Sequence, residues 1–60
     1  MDFKEGDIVV LKSGGPEMTI ENIGPLNFYS KIIGAHCCWF NANDLKRDVF
    51  TFDVLKKIEK

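Results

Sequence analysis

Short runs of apolar and β-branched residues recur along this chain, and clusters of glycine, proline, asparagine or aspartate separate them. Four runs are extended in character: Ile8–Lys12, Met18–Ile23, Tyr29–Phe40 and Leu45–Phe52. Within them apolar and polar positions tend to alternate, which is the period of a half-buried strand rather than that of a helix. The pattern therefore predicts several short strands joined by turns.

The last residues follow a different pattern. Asp53 is suited to cap a short helical turn over Val54–Ile58, in which Leu55 and Ile58 lie three residues apart and close one end of the core. Because so short a chain is too small for a sandwich, the strands favour a barrel, which hides strand edges. We predict an all-β fold, a small SH3-like barrel of about five short strands with a C-terminal helical turn, forming a single domain over residues 1–60.

Composition agrees with a folded domain that has a modest core. The chain has 60 residues, of which 45% are hydrophobic and 28% charged. A core of this size rarely supplies more than about 3–5 kcal/mol of net stability without disulfides, metal or oligomerisation. Seven aromatic residues are a large supply for so short a chain, and we expect the single tryptophan, Trp39, to be buried.

Charge and cysteine content limit the classes of function. The formal net charge of −1 provides no general attraction for nucleic acid, although basic residues outnumber acidic ones over residues 45–60. No apolar run approaches the ~20 residues that span a membrane, and the first residues lack the apolar segment of a signal peptide. The two cysteines are adjacent, so they do not form a disulfide framework. We expect a cytoplasmic protein.

Three consecutive residues have side chains that could bind a metal or take part in catalysis: His36, Cys37 and Cys38. They suggest either metal ligands or a thiol nucleophile with a neighbouring base, since His36 and Cys38 share one face of a strand. A structural zinc site needs four ligands, usually as two spaced pairs, and here the candidates are consecutive. The structural interpretation, a buried Cys37 and a surface Cys38, is favoured, so no metal, cofactor or catalytic residue is predicted.

A glycine-rich turn follows the first strand. Lys12, Ser13, Gly14 and Gly15 precede Pro16, and their backbone N–H groups suggest an anion-binding loop. A phosphate loop normally leads into a helix, whereas the residues after Pro16 read as a strand. A turn with constrained backbone is the favoured interpretation, and a ligand-contacting loop is the alternative.

Apolar side chains also fall on strand positions that are expected to face water. If Val9 points into the core, Ile8 and Val10 point outward, and Phe40 points outward if Trp39 is buried. Phe28 and Tyr29 lie where the chain needs no aromatic residue in order to turn. A contiguous apolar patch marks an interaction site, and the predicted partner-binding residues are Ile8, Val10, Tyr29 and Phe40.

Three segments together resemble a known family. They are Gly6–Pro16 (GDIVVLKSGGP), Met18–Ile20 (MTI) and Cys37–Phe40 (CCWF), and the match extends from Phe3 to Leu55. The chain resembles the YodC-like family of small bacterial proteins, and this resemblance implies an SH3-like small barrel without an established activity. The family usually has Asp-Gly where this chain has Asn41-Ala42, and a lysine where this chain has Asp44.

These observations lead to one functional hypothesis and two alternatives. We expect a small non-catalytic binding or adaptor module that binds a protein partner or associates with itself through the exposed apolar strand face. The first alternative is a nucleic-acid-binding barrel that uses Lys46, Arg47, Lys56 and Lys57. The second alternative, less favoured, is an enzyme that uses Cys38 or His36. No membrane association is expected.

Overall fold

The computed structural model describes residues 3–58 and has an all-β architecture. Its five strands are β1 (Ile8–Leu11), β2 (Met18–Pro25), β3 (Ile33–Asn41), β4 (Asp44–Phe50) and β5 (Leu55–Lys57). They form one antiparallel sheet in the order β4-β3-β2-β1-β5. Among the described residues β4 does not pair with β5, so the sheet is open, and its strand order is consistent with an SH3-like small barrel.

The core lies on one face of the curved sheet and draws on four of the five strands. Its six buried side chains are those of Val9, Met18, Ile20, Ala35, Cys37 and Leu55. Strand register explains the set, because Val9 pairs with Met18 and Ile20 pairs with Cys37, and paired residues share a face. Trp39 is half-buried rather than fully enclosed, and its ring lies 6.5 Å from that of Phe50.

A β-bulge in β2 extends the core beyond the point that simple alternation predicts. Ile20 pairs with Cys37 but Asn22 pairs with His36, so Glu21 is an additional residue on β2. An extra residue reverses the alternation of the strand that contains it. Ile23 therefore pairs with Ala35 and packs against the core, although its spacing from Met18 would place it on the solvent face.

A two-residue turn, Ala42-Asn43, joins β3 to β4. Ala42 has φ of 56° and is the only non-glycine residue with positive φ in the part of the chain that the structure describes. Positive φ at the first central position alone corresponds to a type II′ turn, which normally has glycine there. Ala42 therefore carries a local conformational cost, since a Cβ atom disfavours this region.

The helical turn near the C-terminus lies earlier than the sequence predicts. A single 3-10 turn occupies Phe52–Val54, follows Thr51 and has no side-chain capping hydrogen bond, so Asp53 lies within the turn rather than capping it. The following residues form β5 and pair with β1, with Leu55 opposite Leu11. A one-turn helix is marginal by itself. The hydrogen-bonding edge of β1 and the burial of Leu55 favour a strand here.

The helical content of the described chain is confined to that turn. No helix among residues 3–58 has the length and apolar character needed to cross a membrane.

Candidate binding surfaces

The four predicted partner-binding residues do not form one surface. Phe40 is 71% exposed, but Ile8 and Val10 are only half-buried and lie on β1. The whole of β2 separates β1 from β3, so Phe40 is not adjacent to them. Tyr29 lies beyond the start of β3, at the opposite end of that strand from Phe40. The prediction that these residues form a continuous patch is therefore not supported by their placement.

Phe40 instead has an apolar neighbour across the β3–β4 hairpin. Leu45 pairs with Phe40, is 44% exposed, and shares its solvent-facing side of the sheet. The sequence interpretation did not include Leu45. The residues Asn41–Asp44 indicate a turn between two strands. The residue that faces Phe40 across the hairpin, however, can only be assigned once the length of that turn is known.

The most exposed apolar residues lie in the segment between β2 and β3. We refer to residues 26–32 as the aromatic loop. Phe28 and Tyr29 are fully exposed, at 101% and 98%, Ile32 is 57% exposed, and the adjoining first residue of β3, Ile33, is 45% exposed. Isolated exposed apolar residues are common on protein surfaces, whereas four within six consecutive positions form a concentrated apolar surface.

Short-range hydrogen bonds give the aromatic loop a defined backbone. The side-chain oxygen of Asn27 accepts a hydrogen bond from the Tyr29 N–H at 2.9 Å, and Ser30 Oγ accepts one from the Ile32 N–H at 3.0 Å. At the base of the loop the Leu26 N–H donates to the Ile32 carbonyl at 3.0 Å. Such side-chain-to-backbone bonds are typical of Asn and Ser in turns. They shape the loop without using its aromatic side chains.

Two contacts attach the aromatic loop to the sheet. His36 Nε2 lies 2.9 Å from the Pro25 carbonyl oxygen, to which it donates in the corresponding tautomer. Leu26 covers Gly34, where a Cβ atom would lie 2.6 Å from Leu26 Cδ2 and 2.5 Å from the Phe50 carbonyl oxygen. The absence of a side chain at position 34 therefore allows Leu26 to pack closely on the sheet, and the loop has a fixed base.

The backbone of the glycine-rich turn has positive φ angles and hydrogen bonds that shape the turn. Gly14 and Gly15 have φ of 107° and 120°, in the region that favours glycine. The Gly14 N–H donates to the Leu11 carbonyl at 2.9 Å, and the Lys12 N–H donates to the Val54 carbonyl at 2.9 Å. Both N–H groups are therefore used by the fold, which reduces the number available to an anion. Ser13, like the rest of the turn, is exposed.

The four basic residues of the nucleic-acid alternative differ in their surroundings. Arg47 Nε lies 3.0 Å from Glu21 Oε1, and Lys57 Nζ lies 3.6 Å from Asp7 Oδ2. Lys46 and Lys56 are exposed and lie on β4 and β5, the two edge strands of the sheet. The structure thus distributes these cations over both edges and pairs two of them with carboxylates.

His36, Cys37 and Cys38 are divided between the two faces of β3. Cys37 is fully buried, and burial is the largest cause that raises the pKa of its thiol to about 11, with Cys38, Asp48 and Glu21 adding to the effect. The thiol is therefore protonated at neutral pH, whereas a nucleophilic cysteine needs its thiolate. No group of three or more potential metal ligands is assembled among residues 3–58.

A shallow cleft of about 230 Å³ lies beside these residues. Its lining includes Glu21, Leu26, His36, Arg47 and Val49. The Arg47 guanidinium and the Glu21 carboxylate in this cleft are paired with each other, so neither presents an uncompensated charge to a ligand. The apolar surface of the aromatic loop is thus a better candidate for binding than this cleft, whose lining mixes polar and apolar side chains.

Comparison with models of known protein families assigns the chain to a family. A family model described as "Uncharacterized small protein (DUF2158)" matches residues 4–55, which is most of the chain. The protein belongs to this family of small proteins. Comparisons with curated proteins and with solved structures give no match.

Proposed function

We propose that this protein is a small non-catalytic binding module that contacts a protein partner through the aromatic loop. The observation that carries the proposal is the complete exposure of Phe28 and Tyr29 on a loop whose backbone is already ordered by hydrogen bonds. Exposed aromatic side chains contribute large contact areas at low entropic cost, and they are enriched among the residues that dominate binding energy.

The location of this loop supports an adaptor role rather than a catalytic one. Phe28 and Tyr29 are fully exposed on the loop, whereas the buried thiol of Cys37 lies on the core face of β3. A shallow depression of about 300 Å³ lined by Pro25, Asn27 and Phe28 adds a concave element next to the aromatic rings. Because the depression is open and shallow, it suits one inserted side chain better than a ligand that must be largely enclosed.

A more specific family assignment is also proposed. We propose that the chain is a YodC-like bacterial protein that acts in the cytoplasm. The long segment Gly6–Pro16 and the Cys37–Phe40 motif support this assignment, and the small antiparallel sheet is compatible with it.

Nucleic acid is the competing partner. Lys31 lies close in sequence to the exposed Phe28 and Tyr29, and aromatic residues next to basic ones are used to stack bases. The pairing of Arg47 with Glu21, and of Lys57 with Asp7, leaves fewer cations available for phosphate contacts than the sequence alone predicts. The net charge of −1 also provides no general attraction for a polyanion.

Affinity capture from a native cell extract tests the proposal, with nuclease-treated and untreated arms. The loop variant Phe28→Ser/Tyr29→Ser is compared with a matched variant, Phe40→Ser/Leu45→Ser, on the other exposed apolar site. We expect the same protein to be captured in both arms by the natural chain and by the matched variant, and to be lost with the loop variant. Capture that nuclease abolishes, or that the loop variant retains, would contradict the proposal.

A further inference from the structure

β4 is an edge strand that extends into solvent. Within residues 3–58 it pairs only with β3, and its first five residues, Asp44 to Asp48, are exposed. Unpaired strand edges are templates for pairing with another chain, and proteins commonly protect them with charged residues. The arrangement of charges on β4 therefore decides whether its edge is blocked or complementary to a partner.

The hairpin register identifies which backbone groups on β4 point away from β3. Asn41 and Asp44 flank the two-residue turn and form its first hydrogen-bonded pair, after which hydrogen-bonded and non-hydrogen-bonded pairs alternate. Leu45, Arg47 and Val49 consequently direct their N–H and carbonyl groups away from β3. One hydrogen bond agrees with this assignment, since the Val49 N–H donates to the side chain of Asp48 at 2.8 Å instead of to β3.

A second copy of β4 complements this edge in an antiparallel register that pairs all three outward-directed residues. With a two-fold axis at Arg47, Lys46 of each copy lies opposite Asp48 of the other, and Leu45 lies opposite Val49. Opposite charges and apolar pairs at facing positions each stabilise a sheet by about 0.2–1 kcal/mol. The three pairs formed by outward-directed residues would exchange about six backbone hydrogen bonds. In two of these bonds the Val49 N–H exchanges its own Asp48 carboxylate for the Leu45 carbonyl of the other copy.

Neighbouring registers are disfavoured by charge. A shift in one direction places Lys46 opposite Lys46 and Asp44 opposite Asp48, and a shift in the other places Asp48 opposite Asp48. Like charges at directly facing positions destabilise a strand pair. In the favoured register the two Arg47 side chains face each other, but each one is already paired with its own Glu21 at 3.0 Å.

We propose that two copies of this chain associate through antiparallel pairing of their β4 strands, centred on Arg47, so that the two five-stranded sheets become continuous. This inference concerns the edge of β4 and does not depend on the partner of the aromatic loop.

Sedimentation equilibrium of the full chain from micromolar to millimolar concentration tests the proposal. The natural chain is expected to show a monomer–dimer equilibrium. Lys46→Glu and Asp48→Lys should each weaken dimerisation by about tenfold, because each creates two like-charge pairs across the interface. Both positions are exposed, and circular dichroism checks that each variant remains folded.

Charge complementation makes the test specific for this register. An equimolar mixture of Lys46→Glu and Asp48→Lys restores opposite charges at both facing pairs, so the mixture should dimerise although neither variant does so well alone. The double variant Lys46→Glu/Asp48→Lys should also recover dimerisation. A natural chain that stays monomeric at millimolar concentration would overturn the proposal, as would a dimer that neither charge reversal weakens. The loop variant Phe28→Ser/Tyr29→Ser should dimerise normally, which separates this surface from the proposed partner site.

Discussion

The core and the aromatic loop contain similar apolar residues in opposite environments. Ile20 is 1% exposed in the core, whereas Ile32 is 57% exposed next to the loop aromatics. Burial against neighbouring strands makes the first group a source of folding free energy. The exposed side chains of the aromatic loop contribute little to folding because they remain in water. Apolar content alone therefore does not separate stabilising residues from candidate binding residues, whereas burial between paired strands does.

The largest expected effect comes from truncating the same residue type in both regions. Ile20→Ala removes buried methylene groups and leaves a cavity, so it should lower the free energy of unfolding by about 2–5 kcal/mol. Ile32→Ala is the matched control and should change it by less than about 0.5 kcal/mol. Urea denaturation followed by Trp39 fluorescence measures both. Equal losses at the two positions would show that the loop side chains contribute to the core.

Alkaline pH provides the next test, because it acts on a buried group in the core. Burial raises the pKa of the Cys37 thiol from 9.0 to about 11, so the folded state retains a proton that the unfolded state loses. The stabilising effect is complete below pH 9 and is lost as pH rises towards 11, by roughly 2–3 kcal/mol in total. Denaturation at several pH values should show this decline in the natural chain.

The matched comparison for this pH dependence is a pair of cysteine variants. Cys37→Ala should be less stable at neutral pH but should show a smaller decline between pH 9 and 11, since the buried titrating group is absent. Cys38→Ala should retain the decline. An unchanged pH profile in Cys37→Ala would assign the effect to another group.

A smaller effect is expected at the β3–β4 turn, where the chain has alanine at positive φ. Ala42→Gly removes the Cβ atom that disfavours φ of 56° and should raise the free energy of unfolding by up to about 1 kcal/mol, net of the larger entropy of unfolded glycine. Ala35→Gly, at a buried position with ordinary φ, should instead destabilise the protein. Thermal unfolding of the two variants should therefore give shifts of opposite sign, and a lowered midpoint for Ala42→Gly would contradict the turn assignment.

The sequence predicts much of the architecture because the alternating pattern and the glycine-rich turn are local signals. Val9, Met18 and Ile20 belong to the core as their spacing indicates. Ile23 could not be placed by alternation, since the bulge at Glu21 becomes visible only when β2 is paired with β3. The local pattern predicts a helical turn at Leu55–Lys57, where the chain forms a strand, because the stabilising partner of that strand, β1, is distant in sequence.

The candidate surface was less predictable than the fold. Tyr29 is exposed as expected, but the sequence interpretation placed it on a strand that begins at Tyr29, whereas β3 begins at Ile33. That shift assigns Phe28 and Tyr29 to a loop and separates them from Phe40. The hydrogen bonds of Asn27 and Ser30 that order this loop depend on backbone conformation, and composition alone does not reveal them.

The most direct test of the account is site-specific photocrosslinking at the aromatic loop. Phe28 is replaced by p-benzoylphenylalanine and, in a matched variant, Phe40 is replaced in the same way, since both side chains are exposed aromatics on the same molecule. Irradiation in a native cell extract should give a discrete nuclease-resistant protein adduct from position 28 that is absent or much weaker from position 40. Adducts of equal intensity from both positions, or an adduct from position 28 that nuclease removes, would contradict the assignment of the aromatic loop as a protein-binding site.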